Sequence, residues 1–398
     1  MNEIGLDAIR AAVEAGREVV KHTPVVPSFT LSDMLGGTIA LKAENLQRMG
    51  AFKIRGAMNK LASLGEAGTV GVTAGSAGNH AQAIAFAAHH RGVPCEIFVP
   101  DGASISKIES CRAFGAVVHE AGSTITEALA AAKARAEATG MAFCHPFDDP
   151  VVIAGQGTLG LELADDVPDL AQVVVPLGGG GLASGVAIAL KTANPSIRVI
   201  GVQSEASSPY AGNAPPAGAI VTLADGIAVK QPGAITRPLV ERWLDDIVVV
   251  DEESIADAMV LLMERAKLYV EGAGAVGVAA VMTRRVTPTS SGSTCVVLSG
   301  GNVDLGVVPG LIRRHETRAG RRLNVFALIS DRPGGLVAFL GLFAEHGANL
   351  IAVEHIRDGV DLHVREAGLR ASFEVRSPEH ADAVLAAARA AGYDITVV

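Results

Sequence analysis

Short apolar runs alternate with Ala-rich amphipathic stretches along most of this chain. The runs, many edged by Gly, Pro or Asp, predict strands over 38–42, 71–73, 95–99, 117–120, 172–176, 199–203, 247–250 and 294–298. Helical periodicity between them predicts helices over 54–64, 79–91, 106–114, 125–139, 157–164, 182–191, 253–267 and 273–282. Residues 1–20 carry charges throughout, so they read as an amphipathic helix and not as a signal peptide. Strands alternating with helices predict an α/β chain with a mostly parallel sheet covered on both faces. Ligands of such sheets sit beyond the carboxyl ends of strands, so the Gly-rich turns there are the places to search.

The pattern changes near residue 317. The charged stretch His-Glu-Thr-Arg-Ala-Gly-Arg-Arg (315–322) has no apolar periodicity and reads as a linker. After it come strand 323–329, the turn Asp-Arg-Pro-Gly-Gly at 331–335, helix 336–346, strand 349–355, strand 370–375, helix 378–391 and strand 394–398. That order is βαββαβ, a ferredoxin-like module, with 358–369 read as a hairpin loop or extended strand ends. Two domains are predicted, 1–317 and 323–398.

Composition narrows the class. The chain has 398 residues, 49% of them hydrophobic, with 45 glycines and only 4% aromatics, which favours α/β units joined by tight turns over a β-sandwich. A net charge of −9 with no basic stretch argues against nucleic acid as a partner. No uncharged apolar run reaches the roughly twenty residues of a membrane span. A soluble cytoplasmic enzyme fits this balance. Cys95, Cys111, Cys144 and Cys295 form no C-x-x-C pair and stand in apolar runs, as reduced core residues do.

Four places can carry chemistry. Lys53 lies between Phe52 and Ile54 at a helix start; desolvated, it could form a Schiff base, although a surface lysine packing its stem on apolar neighbours fits the same string. Thr73-Ala-Gly-Ser-Ala-Gly-Asn-His80 joins a strand to a helix. Its free N–H groups suit a carboxylate or phosphate, and ordinary capping explains it equally well. Gly178 to Gly181 follow a buried strand and open a helix, so bare N–H groups can wrap a phosphate. The same loop, as Gly178-x-Gly180-x-x-Ala183 with Glu205 after the next strand, loosely fits a dinucleotide fingerprint and a nicotinamide oxidoreductase. Ser299, at the end of another strand, can hold a heteroaromatic nitrogen or simply make a Ser–Gly turn.

Taken in order, Phe-Lys-Ile-Arg-Gly-Ala (52–57), Ser-Ala-Gly-Asn-His (76–80), Gly-Gly-Gly-Gly-Leu (178–182) and Ser-Gly-Gly-Asn (299–302) resemble the fold-type II pyridoxal-phosphate (PLP) enzymes. The resemblance is to their threonine/serine dehydratase group and covers about residues 10–312. The C-terminal module, with Ala-Leu-Ile-Ser-Asp-Arg-Pro-Gly-Gly, looks like an ACT domain, an amino-acid-sensing unit, and the pairing resembles the single-ACT threonine ammonia-lyases. The resemblance implies two open twisted, mostly parallel sheets with helices on both faces, a small subdomain at about 45–145 being inserted in the larger one. Lys53 would be the catalytic residue and the cofactor's covalent partner, with Phe52 beside it. Asn79 would meet the cofactor's 3′-oxygen, and Gly178, Gly179, Gly180, Gly181 and Leu182 its phosphate. Ser299 would face the pyridine nitrogen, with Gly300 also binding the cofactor and Glu271 near the ring. Ser76, Ala77, Gly78, Asn79 and His80 would line the substrate, and Asp225 would lie near its β-hydroxyl.

The implied reaction is β-elimination from L-threonine to 2-oxobutanoate and ammonia, and from L-serine to pyruvate, in a homodimer or homotetramer regulated by an amino acid at the ACT domain. Lys53 would remove the Cα proton. Met49-Gly50-Ala51 stands where the family usually has Thr-Gly-Ser, which keeps serine and 3-hydroxyaspartate in view as substrates. Racemases of the group place a hydroxyl where Ala77 stands, which argues against racemisation. Gln203, Ser204 and Pro209 make poor ligands where relatives hold a divalent metal, so no metal is expected.

Overall fold

The computed structural model describes residues 4–65, 70–213, 218, 220–357, 363 and 365–398. The chain divides into two compact units, Met1–Val303 and Asp304–Val398.

Unit one opens with α1 (Leu6–Gly16), β1 (Val25–Pro27), α2 (Phe29–Leu35) and β2 (Thr38–Lys42). It continues with α3 (Lys53–Ser63), β3 (Val72–Gly75), α4 (Asn79–Arg91), β4 (Cys95–Val99), α5 (Ile105–Ala113), β5 (Val117–Glu120), α6 (Ile125–Thr139) and β6 (Ala142–Phe143). Next come α7 (Pro150–Asp166), β7 (Leu170–Pro176), α8 (Gly181–Ala193), β8 (Arg198–Ser204), α9 (Thr236–Trp243) and β9 (Asp246–Val250). It closes with α10 (Glu252–Leu261), α11 (Gly272–Met282) and β10 (Ser293–Val297).

These strands form two sheets. The first has the order β1-β2-β10-β7-β8-β9, parallel except for the antiparallel edge strand β1. The second, β5-β4-β3-β6, is parallel throughout. The chain leaves the first sheet after β2 and returns to it at β7. Val173, Val174 and Val175 of β7 are each 0% exposed, the two-sided burial that an unbroken β-branched run requires.

Several boundaries depart from the sequence reading. Helix α7 begins at Pro150, ahead of the predicted 157, because Asp149 caps the N–H groups of Val151 and Val152 and Pro150 needs no donor in the first turn. The predicted helix 253–267 ends in a π-helical turn over Leu262–Ala266, closed by Lys267 at φ 59°. The edge strand β1, the two-residue β6 and the short helices α2 and α9 are too brief to show a period. All four cysteines are buried and free.

A buried ion-pair network ties α3 to the first sheet and to α7. Arg55 binds Glu44 through Nε and Nη2, both at 2.8 Å, and Glu162 through Nη1 at 2.7 Å. Lys42, wholly buried in β2, places its amine 2.7 Å from Glu162 Oε2 and 2.9 Å from Asp166 Oδ2. A fully buried lysine at the end of a strand is tolerable only because the neighbouring carboxylates hold its charge.

Unit two runs α12 (Val308–Arg318), β11 (Arg322–Ser330), α13 (Gly335–Glu345), β12 (Asn349–Ile356), β13 (Glu366–Glu374), α14 (Pro378–Ala390) and β14 (Ile395–Val397). Its sheet, β12-β13-β11-β14, is antiparallel. Phe339, Phe343 and Phe373 fill its core. The expected linker 315–322 is corrected: residues 315–318 complete α12 and β11 starts at Arg322. Helix α12 buries Leu311 alone, so its sequence resembles a solvated connection. Of the expected loop at 358–369, residues 358–362 and 364 lie outside the described residues, and 366–369 belong to β13.

Candidate functional site

The approach to Lys53 is pinned to the end of β10. Phe52 N donates to Ser299 O at 3.1 Å, Gly301 N to Gly50 O at 2.8 Å, and Ala51 pairs with Gly300. Lys53 is then the first residue of α3. Its amine lies 5.1 Å from the centre of the Phe52 ring and donates to Pro146 O at 2.8 Å. Burial lowers its pKa to about 8, against a raising pull from Glu271.

Cys144 to Asp148 form a segment that the sequence reading passed over. The Cys144 carbonyl accepts from His80 Nε2 at 2.9 Å and the Pro146 carbonyl accepts from Lys53. Asp148 accepts from the N–H groups of Ala234, Ile235 and Thr236 at 2.8–3.0 Å. The Phe147 ring covers the glycine turn, since a Cβ on Gly179 would lie 2.2 Å from it. The carbonyl bound by the lysine and the ring packed on the oligoglycine turn therefore belong to adjacent residues, Pro146 and Phe147. The signal that could have found the segment is its place just before the Asp149–Pro150 helix start.

The turn itself is a row of unpaired donors. No backbone N–H from Gly178 through Ala183 has a hydrogen-bond partner among the described residues, although every one of these residues is buried. Buried N–H groups are almost always paired, so this row fits a phosphate held in place. Helix α8 adds the positive end of its dipole. Gly180, at φ +93°, has Tyr210 Oη where a Cβ would stand, and that hydroxyl donates to Gly179 O at 3.0 Å. Tyr210 and Thr236, its other hydrogen-bonding neighbour, were also missed. A Gly179→Ala variant is expected to bind pyridoxal phosphate about ten- to a hundredfold more weakly, because relieving such overlap costs about 1–3 kcal/mol. Gly341→Ala, where a Cβ meets nothing within 4 Å, should bind as the parent does in the same titration.

Asn79 begins α4, and its Nδ2 donates to Glu271 Oε1 at 2.7 Å. Glu271 is 6% exposed. Burial and Asp225 raise its pKa to about 7, while Asn79, Lys107 and the Asn302 N–H oppose the rise. Glu271 N donates to Gly300 O at 3.0 Å, which brings Glu271 beside Ser299. Ser299 is 3% exposed and its hydroxyl has no hydrogen bond among the described residues. Lys53, Phe52, Asn79, Glu271, Ser299 and Gly300 thus form one linked cluster.

A second set of free donors stands at the start of α4. The N–H groups of Ala77, Asn79, His80 and Ala81 are unpaired among the described residues, and Ser76 Oγ accepts from Gly78 N at 3.2 Å. The His80 ring departs from its expected place around a substrate. It is buried on the Cys144 carbonyl, and burial and Lys53 lower its pKa to about 3, which leaves it neutral. Only its backbone N–H remains for an anion. Asp225 is largely exposed and pairs with Lys107 at 3.1 Å, while the adjacent Gly226 faces Glu271. The Gln203 amide is occupied by Tyr210 N, Ala211 N and Leu177 O.

Only a neutral amine attacks an aldehyde. Capture of pyridoxal phosphate by the cofactor-free protein should therefore speed up with rising pH, with half-maximal rate near pH 8 and not near the roughly 10.4 of a free lysine. Stopped-flow absorbance across pH 6–11 reads that midpoint.

The chain matches the family described as "Pyridoxal-phosphate dependent enzyme" over residues 17–300 and an ACT domain over residues 324–392. It is 44% identical to an L-threonine ammonia-lyase of Thermotoga maritima, covering 99% of this chain and 100% of that protein. An L-threonine ammonia-lyase of Geobacter sulfurreducens is 43% identical, with 98% of each chain covered. Among solved structures, maize serine racemase superposes with a TM-score of 0.73 at 37% identity, covering 79% of this chain and 98% of that one. These matches decide against the nicotinamide reading of the glycine turn. With a lysine, an oligoglycine turn and a strand-end serine gathered in one cluster, the chain belongs to the pyridoxal-phosphate dependent enzyme family and carries an ACT domain after that unit.

Proposed function

We propose that this protein is a threonine ammonia-lyase that converts L-threonine to 2-oxobutanoate and ammonia, and L-serine to pyruvate. One observation carries the reading: a half-buried lysine with a lowered pKa, and no ion pair among the described residues, is joined through Pro146 and Phe147 to a buried turn of unpaired N–H groups. Two relatives named for that activity, similar over nearly the whole chain, support it.

Lys53 would hold the cofactor and the Gly178–Leu182 donors its phosphate. Bound there, pyridoxal phosphate supplies an aldehyde and an electron-withdrawing ring. Lys53 Nζ, neutral in an appreciable fraction near pH 8, accepts the substrate's Cα proton. Ser299 offers the ring a hydrogen bond without a charge. The unpaired N–H groups of Ala77, Asn79 and His80 would hold the substrate carboxylate. His80, neutral and committed to Cys144 O, moves no proton. Ala77 has no exchangeable hydrogen and cannot serve as a second acid or base, which favours elimination over the racemisation named for the maize protein.

We assign catalysis to residues 1–317, with 45–145 as a nested subdomain, and sensing of an amino-acid effector to 323–398. The protein works as a homodimer or homotetramer in the cytoplasm; among the described residues no helix is long and apolar enough to cross a membrane. Comparing kcat/KM for L-threonine, L-serine and 3-hydroxyaspartate by keto-acid release tests the reading. Threonine is expected first; a cofactor-loaded protein that releases no keto acid from any of the three would overturn it.

A further inference from the structure

Asn302 closes the Ser-Gly-Gly-Asn motif, and nothing above gives its side chain a role. Its Nδ2 donates to Met49 O at 2.8 Å and to Asn79 Oδ1 at 2.8 Å. A backbone carbonyl can only accept, so the Met49 bond decides which end of the Asn302 amide faces it. Both Nδ2 hydrogens are then used, and Asn79 has to present its oxygen to Asn302. The Asn79 Nδ2 is left on the other side. One of its hydrogens goes to Glu271 Oε1 at 2.7 Å, and the other has no partner among the described residues.

The carbonyl that starts this relay is itself held. Met49 adopts φ 63°, ψ 14°, a left-handed conformation uncommon outside glycine, and Gly50 follows at φ +70°. A Cβ on Gly50 would stand 2.5 Å from Asn302 Oδ1. Gly301 N donates to Gly50 O at 2.8 Å, so the backbone is fixed on both sides of the Asn302 bond. The three segments joined here are the approach to Lys53, the start of α4 and the end of β10.

We propose that Asn302 is a positioning residue, which relays the direction of the Met49 carbonyl to Asn79 and so keeps the Asn79 Nδ2 as a donor toward the cofactor. This rests on the pyridoxal-phosphate reading above. It also gives Met49-Gly50 a function at the place where the chain departs from the family's usual residues.

A double-mutant cycle tests it, with the pyridoxal-phosphate dissociation constant and the visible spectrum of the bound cofactor as readouts and near-ultraviolet circular dichroism as the check on folding. Asn79→Ala and Asn302→Ala are each expected to weaken cofactor binding roughly three- to tenfold. The double variant should be no weaker than Asn79→Ala alone, because Asn302 acts through Asn79. Asn302→Asp keeps the shape but cannot donate, so it should turn Asn79 around and bind more weakly than Asn302→Ala. Losses that multiply in the double variant, or parental binding by Asn302→Asp, would overturn the proposal. A parent chain that takes up no cofactor would overturn the pyridoxal-phosphate reading and this one with it, whereas multiplying losses in a chain that does take it up overturn this one alone.

Discussion

Replacing Lys53 with alanine should lower keto-acid release by roughly 10⁴-fold or more, the upper end of what a positioned general base contributes. Borohydride treatment followed by peptide mass spectrometry should find the reduced cofactor on the Lys53 peptide of the parent and nowhere in the variant. The lysines differ in what surrounds them. Lys42 is bound by Glu162 and Asp166, Lys60 by Asp149 at 2.6 Å and Lys107 by Asp225 at 3.1 Å. Lys53 has no carboxylate within ion-pair distance among the described residues, and its one polar bond is to a carbonyl. Its ammonium is therefore the one that burial destabilises enough to supply a free amine. The fold should survive, since that single bond is all the variant loses. Full activity in Lys53→Ala would end the assignment.

Arg55→Met is expected to destabilise unit one by about 3–5 kcal/mol, because a buried pair that loses one member leaves an uncompensated charge. Glu44 is 0% exposed, and Arg55 supplies two of its hydrogen bonds. Glu162 would lose one partner but keep Lys42. The urea midpoint of the cofactor-free protein should fall sharply in Arg55→Met and recover most of the loss in Glu44→Gln/Arg55→Met, where no charge is stranded. An equal loss in both would show that packing, not the stranded carboxylate, sets the cost. Activity should fall with stability, since Arg55 sits in the first turn of the helix that Lys53 begins.

Much of the fold is legible in the sequence. The eight strands and eight helices expected before residue 317 all exist, with shifted ends in several cases, and the module after it has the expected order of strands and helices. What was misread was short or one-sided: β6 with two residues, and α12 with a single buried side chain. Neither repeats often enough to reveal a period. The sequence also singles out residues that the fold brings together, because lysine, oligoglycine turn, asparagine turn and strand-end serine each stand at a strand–helix junction. For His80 the neighbours along the chain match an anion turn, but they do not show that its ring is held by the Cys144 carbonyl just past β6, which leaves its backbone N–H to face that turn. Cys144 to Asp148 went unread because its contacts with Lys53 and His80 are made by the backbone oxygens of Pro146 and Cys144, which leave no mark in residue type.

The sequence alone determined the alternation of strands and helices, the glycine turns and the residue types at the strand ends, because those follow from contacts between residues close along the chain. Tertiary structure alone decided that Lys53 meets Pro146, that Asn79 meets Glu271, and that Asn302 reaches both Met49 and Asn79. These partners lie 93 to 253 positions apart. A hydrogen bond over such a distance leaves no periodic trace in the chain. The amine's lowered pKa likewise belongs to no single stretch of residues, since it arises from the water that separate segments together exclude.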